Sequence, residues 1–378
     1  MAAASDKARF FLEQSVPELR EFERLKLFSP TEISAIARKR SDFEHRINAR
    51  GATAADYARY AEFETNVEAL RKKRAKRLGI RATSHSGQRR IFFVLDRGTK
   101  KHAGDVGLWM QSIEYARRQR AHKKVSQLLA DVLRLHPSKP ALWIYAAQFA
   151  VEENADMTEA RGYLQRGLRF CASKKDLWLQ YARLELSYLA KIHARRRIMG
   201  VAQDDPAASA ASAASAADDT RADDGPASRG AIPIAIFDAA MAQFHGDAEL
   251  SHAFVELLAD VNDVPASREV LRHIRTHLLA QHPRHWATSA CSVRDAVFGI
   301  PVSSPHFPAA LRESLKRLKT ARAEGVGGPS LLDWARRWLD SLLTDQDVDP
   351  AIETVVKATI RGLAQPVSER AQEIHSDR

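Results

Sequence analysis

The sequence predicts an all-α fold, an α-solenoid of stacked helix pairs. Three observations carry this. The chain is rich in Ala, Leu, Arg, Glu and Gln, and its helix breakers fall between periodic segments rather than within them. Trp109, Trp143 and Trp178 recur at intervals of 34 and 35, each preceded by Leu (Leu108, Leu142, Leu177). A second series, Leu95, Leu129 and Leu164, keeps the same intervals. A fixed period of about 34 residues with two helices per unit is the signature of a solenoid, because one helix pair cannot bury its own apolar face.

The elements follow in order. Ser29-Pro30 with Glu32 reads as a helix start: the hydroxyl can accept from a free N–H, Pro donates none, and Glu can reach back. A long first helix is expected over about 55–78, with Tyr57, Tyr60 and Phe63 on one face. The run Ile91 to Leu95 looks strand-like alone, but the Leu95 series places it on a second helix. There VLDRG (Val94 to Gly98) matches YLQRG (Tyr163 to Gly167). First helices then carry Trp109, Trp143 and Trp178, with Tyr115, Phe149 and Leu184 six positions on, and Ser138 and Ser173 stand where two of them should begin. An interval of 121 maps Tyr57, Tyr60, Phe63 and Glu64 onto Trp178, Tyr181, Leu184 and Glu185, so 176–199 should repeat the long helix.

Further on, Ala202 to Ala231 is small, acidic and Pro-containing, with nothing to bury, and reads as a disordered linker. Ile232 to Met241 should resume as a helix. Leu250 to Val261 with Ser267 to Gln281, and Ser330 to Leu343 with Asp349 to Leu363, read as degenerate pairs. Trp334 and Trp338 should face inward. His285 to Gly328 is not assigned. The resulting organisation is a helical region at 1–53, repeats at 54–200, a linker at 201–231 and degenerate helical repeats at 232–378.

Composition bounds function. Lys+Arg 58 against Asp+Glu 47 gives a net charge of +11, which favours polyanionic partners, nucleic acid first. Two cysteines, Cys171 and Cys291, cannot build a disulfide framework or a thiolate zinc site, so a reducing compartment is expected. The first residues lack the apolar core of a signal peptide, and no run is long enough to cross a bilayer, so no membrane partner is expected.

The candidate sites are few. RKKRAKR (Arg71, Lys72, Lys73, Arg74, Lys76, Arg77) puts six cations around a helix, where they could contact RNA phosphates, be read by import receptors, or simply be solvated. Arg195, Arg196 and Arg197 are a weaker copy. The aromatic stripe belongs to packing rather than to base stacking, which needs exposed rings beside cations. Its repeat-packing residues are Tyr57, Tyr60, Phe63, Trp109, Trp143, Trp178 and Tyr181, with Leu95, Leu129 and Leu164. Glu64 and Glu185 should be buried-edge acceptors tying neighbouring helices. No metal, cofactor or catalytic set is expected. His282 and His285 flank a Pro turn without acidic or thiol partners, Cys171 has no base, and GVGGPS (Gly325 to Ser330) has no Lys after its glycines.

Two resemblances now stand on these residues. W-x-x-Y-x-x-L-E (Trp178 to Glu185), with second helices of the LxRG type, resembles half-a-tetratricopeptide (HAT) repeats, which occur in RNA-processing complexes. Two repeats depart from it, with Ser112 and Ala146 where the pattern prefers Tyr, and Ala116 and Ala150 where it prefers Glu. The second resemblance covers nearly the whole chain, most strongly to about residue 200. It rests on Val16 to Ile47, DYARYAEFE (Asp56 to Glu64), LRKKRAKRLGI (Leu70 to Ile80), QRRIFFVLDRGTKK (Gln88 to Lys101), GDVGLWMQSIEYA (Gly104 to Ala116) and IPIAIFDAAM. Together these resemble the U3 small nucleolar RNA-associated protein 6 family. The resemblance implies a non-catalytic scaffold of the small-subunit processome in the nucleus and nucleolus, acting in pre-rRNA processing towards 18S rRNA and 40S subunits. It further implies WD-repeat propeller partners and contact with pre-rRNA and U3 snoRNA, directly or through the complex. The alternatives are a HAT scaffold of the spliceosome or of mRNA 3′-end processing, and an RNA-directed enzyme, for which the dispersed carboxylates offer no metal cluster.

Overall fold

A computed structural model describes residues 2–80, 85–198, 230–261, 264–344 and 349–364. The described residues are all-α, with seventeen helices and no strand. In order they are α1 (Ala2–Glu13), α2 (Val16–Arg24), α3 (Pro30–Asn48), α4 (Ala54–Arg77), α5 (Ser86–Lys101), α6 (Val106–Arg118), α7 (His122–Leu135), α8 (Pro140–Glu152) and α9 (Met157–Phe170). There follow α10 (Lys175–Ile198), α11 (Ala231–Gln243), α12 (Ala248–Ala259), α13 (Pro265–Gln281), α14 (Trp286–Asp295), α15 (Phe307–Ala323), α16 (Gly328–Leu343) and α17 (Pro350–Ala364). The long helices expected at 55–78 and 176–199 are α4 and α10. The strand-like Ile91 to Leu95 lies within α5. The unassigned stretch after His285 holds α14 and α15. The expected linker at 201–231 lies almost wholly outside the described residues.

The chain divides into two compact units, Met1–Leu142 and Trp143–Arg378. In the first, α1 and α2 pack on α3, α3 on α4, α4 on α5, α5 on α6 and α6 on α7, with α4 also touching α6. In the second, α10 packs on α9, α11 and α12, α14 contacts α12, α13, α15 and α16, and α16 carries α17.

Local chemistry sets the helix ends. Ser29 Oγ accepts from Glu32 N (3.2 Å) while Glu32 Oε2 accepts from Ser29 N (2.8 Å), the capping box read from the sequence. Asp105, Asp156 and Asp247 cap α6, α9 and α12 in the same role. Ser138 and Ser173 do not cap: α8 and α10 open two residues later, at Pro140 and Lys175, because Lys139 and Lys174 accept the first turn's bonds from Leu142 and Leu177.

Close approach explains the LxRG pattern. A Cβ on Gly98 would stand 2.8 Å from Leu108 and 3.0 Å from Tyr57, and one on Gly167 would stand 2.8 Å from Trp143 and 3.2 Å from Leu177. Each Gly therefore lets a second helix seat against two first helices. The departures from the HAT pattern have the same cause. Ser112, Ala116, Ala146 and Ala150 are all fully buried, and small side chains there admit close helix contact. Trp334 and Trp338 are buried with rings stacked 5.6 Å apart.

Candidate nucleic-acid interface

The basic run closes α4, and the helix is not cationic all round. Ala75 is buried among Leu19, Phe22, Leu27, Phe28 and Ile36. One turn before it Arg71 is buried too, its guanidinium paired with Glu68 through two 2.7 Å bonds. Burial on this face corrects the expectation that six cations ring an exposed helix end. Arg74 is also committed: it holds Glu32 through two 2.7 Å bonds, donates to the Leu27 carbonyl (2.9 Å) and lies 4.8 Å over the Phe28 ring. The Arg74 hydrogen bonds, with the Ser29 N–H, hold the Glu32 carboxyl at about 2, well below the carboxylate range. Arg71 and Arg74 are thus structural cations.

The solvent-facing cations are Lys72, Lys73, Lys76 and Arg77. Lys72 leans on Glu68 at 3.6 Å. Lys73, Lys76 and Arg77 make no ion pair among the described residues and share one face at i, i+3 and i+4. Beside them a shallow groove of about 590 Å³ is lined by Lys26, Phe28, Arg77 and Leu78, with Lys26 a further exposed cation. At the end of α10, Arg195 and Arg197 are exposed and Arg196 is half-buried. Such clusters bind phosphates through charge, without reading base edges.

The repeat-packing residues sit inside. Tyr57, Tyr60, Trp109, Trp143, Tyr181, Leu95, Leu129 and Leu164 are buried. Phe63 and Trp178 are half-buried. Phe63 bridges two apolar clusters, and Trp178 lies at a helix end, its Nε1 donating to the Ala172 carbonyl (2.9 Å) as Trp109 Nε1 donates to Ala103 (3.0 Å).

Glu64 and Glu185 are the helix ties the sequence indicated. Glu64 receives two 2.8 Å bonds from Arg40 of α3, and Glu185 receives bonds of 2.6 and 2.7 Å from Arg161 of α9. Around Glu64 the tie becomes a cluster. Arg40 also meets Glu18 of α2 at 3.0 Å, and Arg90 of α5 meets Glu18 at 2.9 Å and Glu64 at 3.8 Å. Burial alone would raise the Glu18 carboxyl, but Arg40, Arg90 and the Ser86 hydroxyl outweigh it and hold it below its ordinary value. Sequence reasoning missed both arginines, although Arg40 and Arg161 stand at the same interval of 121 as the glutamates.

Other chemistry is sparse. His282 ends α13 with Nε2 on the Gly246 carbonyl, and His285 caps α14. Burial pushes the Cys291 thiol up to about 12. Among the described residues no group of His, Cys, Asp and Glu could hold a metal ion, and no helix is long and apolar enough to cross a membrane.

Residues 12–95, which span α2 to α4 and the cluster around Glu64, match the family model of U3 small nucleolar RNA-associated protein 6. Over 199 residues the chain is 35% identical to U3 small nucleolar RNA-associated protein 6 of Schizosaccharomyces pombe, covering 52% of this chain and 41% of that one. Over 189 residues it is 32% identical to the Homo sapiens homolog, covering 49% and 32%. The Dictyostelium discoideum homolog is 27% identical over 187 residues. These matches bear out the resemblance over about half of the chain rather than nearly all of it, and the matched part spans less than half the length of each of these relatives.

Proposed function

We propose that the chain is a non-catalytic scaffold subunit of the small-subunit processome in the nucleolus, acting in pre-rRNA processing, 18S rRNA maturation and 40S subunit biogenesis. The observation that carries this is the similarity to U3 small nucleolar RNA-associated protein 6 from Schizosaccharomyces pombe, Homo sapiens and Dictyostelium discoideum, joined to a helical architecture in which the buried Glu64 and Glu185 tie neighbouring helices. In this reading the helix pairs form a HAT solenoid. An N-terminal helical region occupies 1–53, repeats 54–200, a linker 201–231 and degenerate repeats 232–378. WD-repeat propellers are its protein partners, and pre-rRNA and U3 snoRNA its nucleic acids. Lys73, Lys76 and Arg77 supply the RNA contact at the end of α4, with Lys72 beside them, and Arg195 and Arg197 a second one. Arg71 and Arg74 hold the helix in place.

Affinity purification of the full chain, with protein and RNA identification, tests the assignment. Pre-ribosomal propellers with U3 snoRNA are expected; spliceosomal or cleavage factors would move the chain to another RNA-processing complex. The RNA contact has its own test. Lys73→Glu, Lys76→Glu and Arg77→Glu together should weaken single-stranded RNA binding and flatten its salt dependence by roughly 0.7 per lost phosphate contact. An unchanged slope would remove RNA from this face.

A further inference from the structure

A second groove, of about 600 Å³, lies in the Trp143–Arg378 unit between α15 and the start of α17. Its floor is aliphatic: Leu311, Leu315 and Ile352 are buried, and Val355 is 49% exposed. At one end Arg322 donates to the Gly362 carbonyl (2.9 Å) and ties α15 to α17, leaving the groove along their N-terminal portions.

One wall is a row of cations. Arg312, Lys316 and Lys319 lie at i, i+4 and i+7 on α15, so they share a face over about 10 Å. All three are exposed, and none makes an ion pair among the described residues. This sets them apart from their neighbours: Arg317 on the same helix pairs with Glu313 (3.1 Å) and Asp295 (3.7 Å), and Arg294 pairs with Glu256 (2.6 Å). The acid at the groove, Asp349, accepts from the Ala351 N–H (2.8 Å) and serves the start of α17.

We infer that this groove docks an acidic amphipathic helix from a protein partner, its apolar stripe on Leu311, Leu315, Ile352 and Val355 and its carboxylates on Arg312, Lys316 and Lys319. An apolar floor with a charged rim is the anatomy of helix-in-groove recognition. The unpaired cations fix the sign of the partner's rim. Nucleic acid fits less well, because the floor offers no aromatic ring on which a base can stack. The inference is independent of the processome reading, since it uses none of the residues assigned to RNA above.

A displayed library of random helical peptides, selected on the full chain, tests it. The enriched peptides should carry Asp or Glu beside an i, i+3, i+4 apolar stripe. Their affinity should fall at least tenfold for Lys316→Glu with Lys319→Glu, and separately for Val355→Asp, a surface change that leaves the buried floor intact; circular dichroism of both variants checks that they fold. A short RNA oligonucleotide should not compete. Enriched peptides without acids, or binding indifferent to either variant, would overturn the inference. So would RNA competition that the Lys316→Glu and Lys319→Glu changes abolish and Val355→Asp leaves alone, since that describes a polyanion site.

Discussion

The chain makes the same Arg–Glu tie twice, and the two copies sit in different surroundings. At Arg40–Glu64 both side chains are 1% exposed, and Glu18 and Arg90 complete a buried cluster drawn from four helices. At Arg161–Glu185 the carboxylate is 2% exposed but the guanidinium 28%, and its other neighbour is the Tyr188 ring at 5.1 Å. The hydrogen bonds are alike; the access of water is not. Stranding a charge is costly only where water cannot reach it, so one sequence motif carries two different energetic roles.

The largest expected effect breaks that comparison directly. Arg40→Met leaves two buried carboxylates, Glu18 and Glu64, with Arg90 as their one remaining ion-pair partner among the described residues, and should cost about 3–5 kcal/mol in urea unfolding. Arg161→Met should cost roughly 1.5–3 kcal/mol, the range for a hydrogen bond to a charged group. Equal losses would mean that burial does not separate the copies. Adding Glu64→Leu to Arg40→Met should restore much of the loss, because an apolar pair replaces a half-emptied ion pair. Acid sharpens the point. The folded Glu18 carboxyl lies below its ordinary 4.5, so its contribution is fully present above that value and fades as pH falls through the folded one. The stability gap between the native chain and Glu18→Gln should therefore shrink below pH 4.5, and a gap that widened there would contradict the cluster's charge assignment.

Much of the helical plan was legible because periodicity and helix ends are local. The Trp and Leu series, the capping box at Ser29 and the interval of 121 all survive in three dimensions. What sequence alone concealed was partnership. Arg71 and Lys73 look alike in a run of cations, yet one points to Glu68 against the helix stack and the other to water. That difference depends on which face α4 turns to α2 and α3, and Ala75, the one small residue in the run, was its only trace. Arg40 was hidden for the opposite reason: it stands in an ordinary basic stretch, ARKR, and its role appears only once α3 lies against α4.

Next in size is the second shared device, the glycine seat. Gly98→Ala drives a methyl into Leu108 and Tyr57, and Gly167→Ala into Trp143 and Leu177. Each should cost about 1–3 kcal/mol through overpacking. A helix gains from Gly→Ala by roughly 1 kcal/mol of propensity where space allows, so the sign of the change tests the fit. Gly162→Ala, on the same helix as Gly167 with only an Arg166 side-chain atom 3.8 Å away, should be neutral or stabilising. Loss at Gly162 as large as at Gly167 would show that helix context, not the neighbouring first helices, sets the cost.

The smallest effect distinguishes the two indoles. Trp109 Nε1 and Trp178 Nε1 each donate to a carbonyl six residues upstream, Ala103 and Ala172. In the first copy the ring is 6% exposed, and His136 Nε2 also lies 2.9 Å from the Ala103 carbonyl. In the second the ring is half-exposed. Trp178→Phe should therefore cost only about 0.5–1 kcal/mol, since water can take over the freed carbonyl. Trp109→Phe should cost more despite the second partner on its carbonyl, because the smaller ring leaves unfilled space in a buried site. Thermal or urea unfolding of the two variants reads the order. If Trp178→Phe proves the more damaging, the half-exposed indole anchors its helix end more strongly than the buried one, and solvent access no longer ranks the two copies.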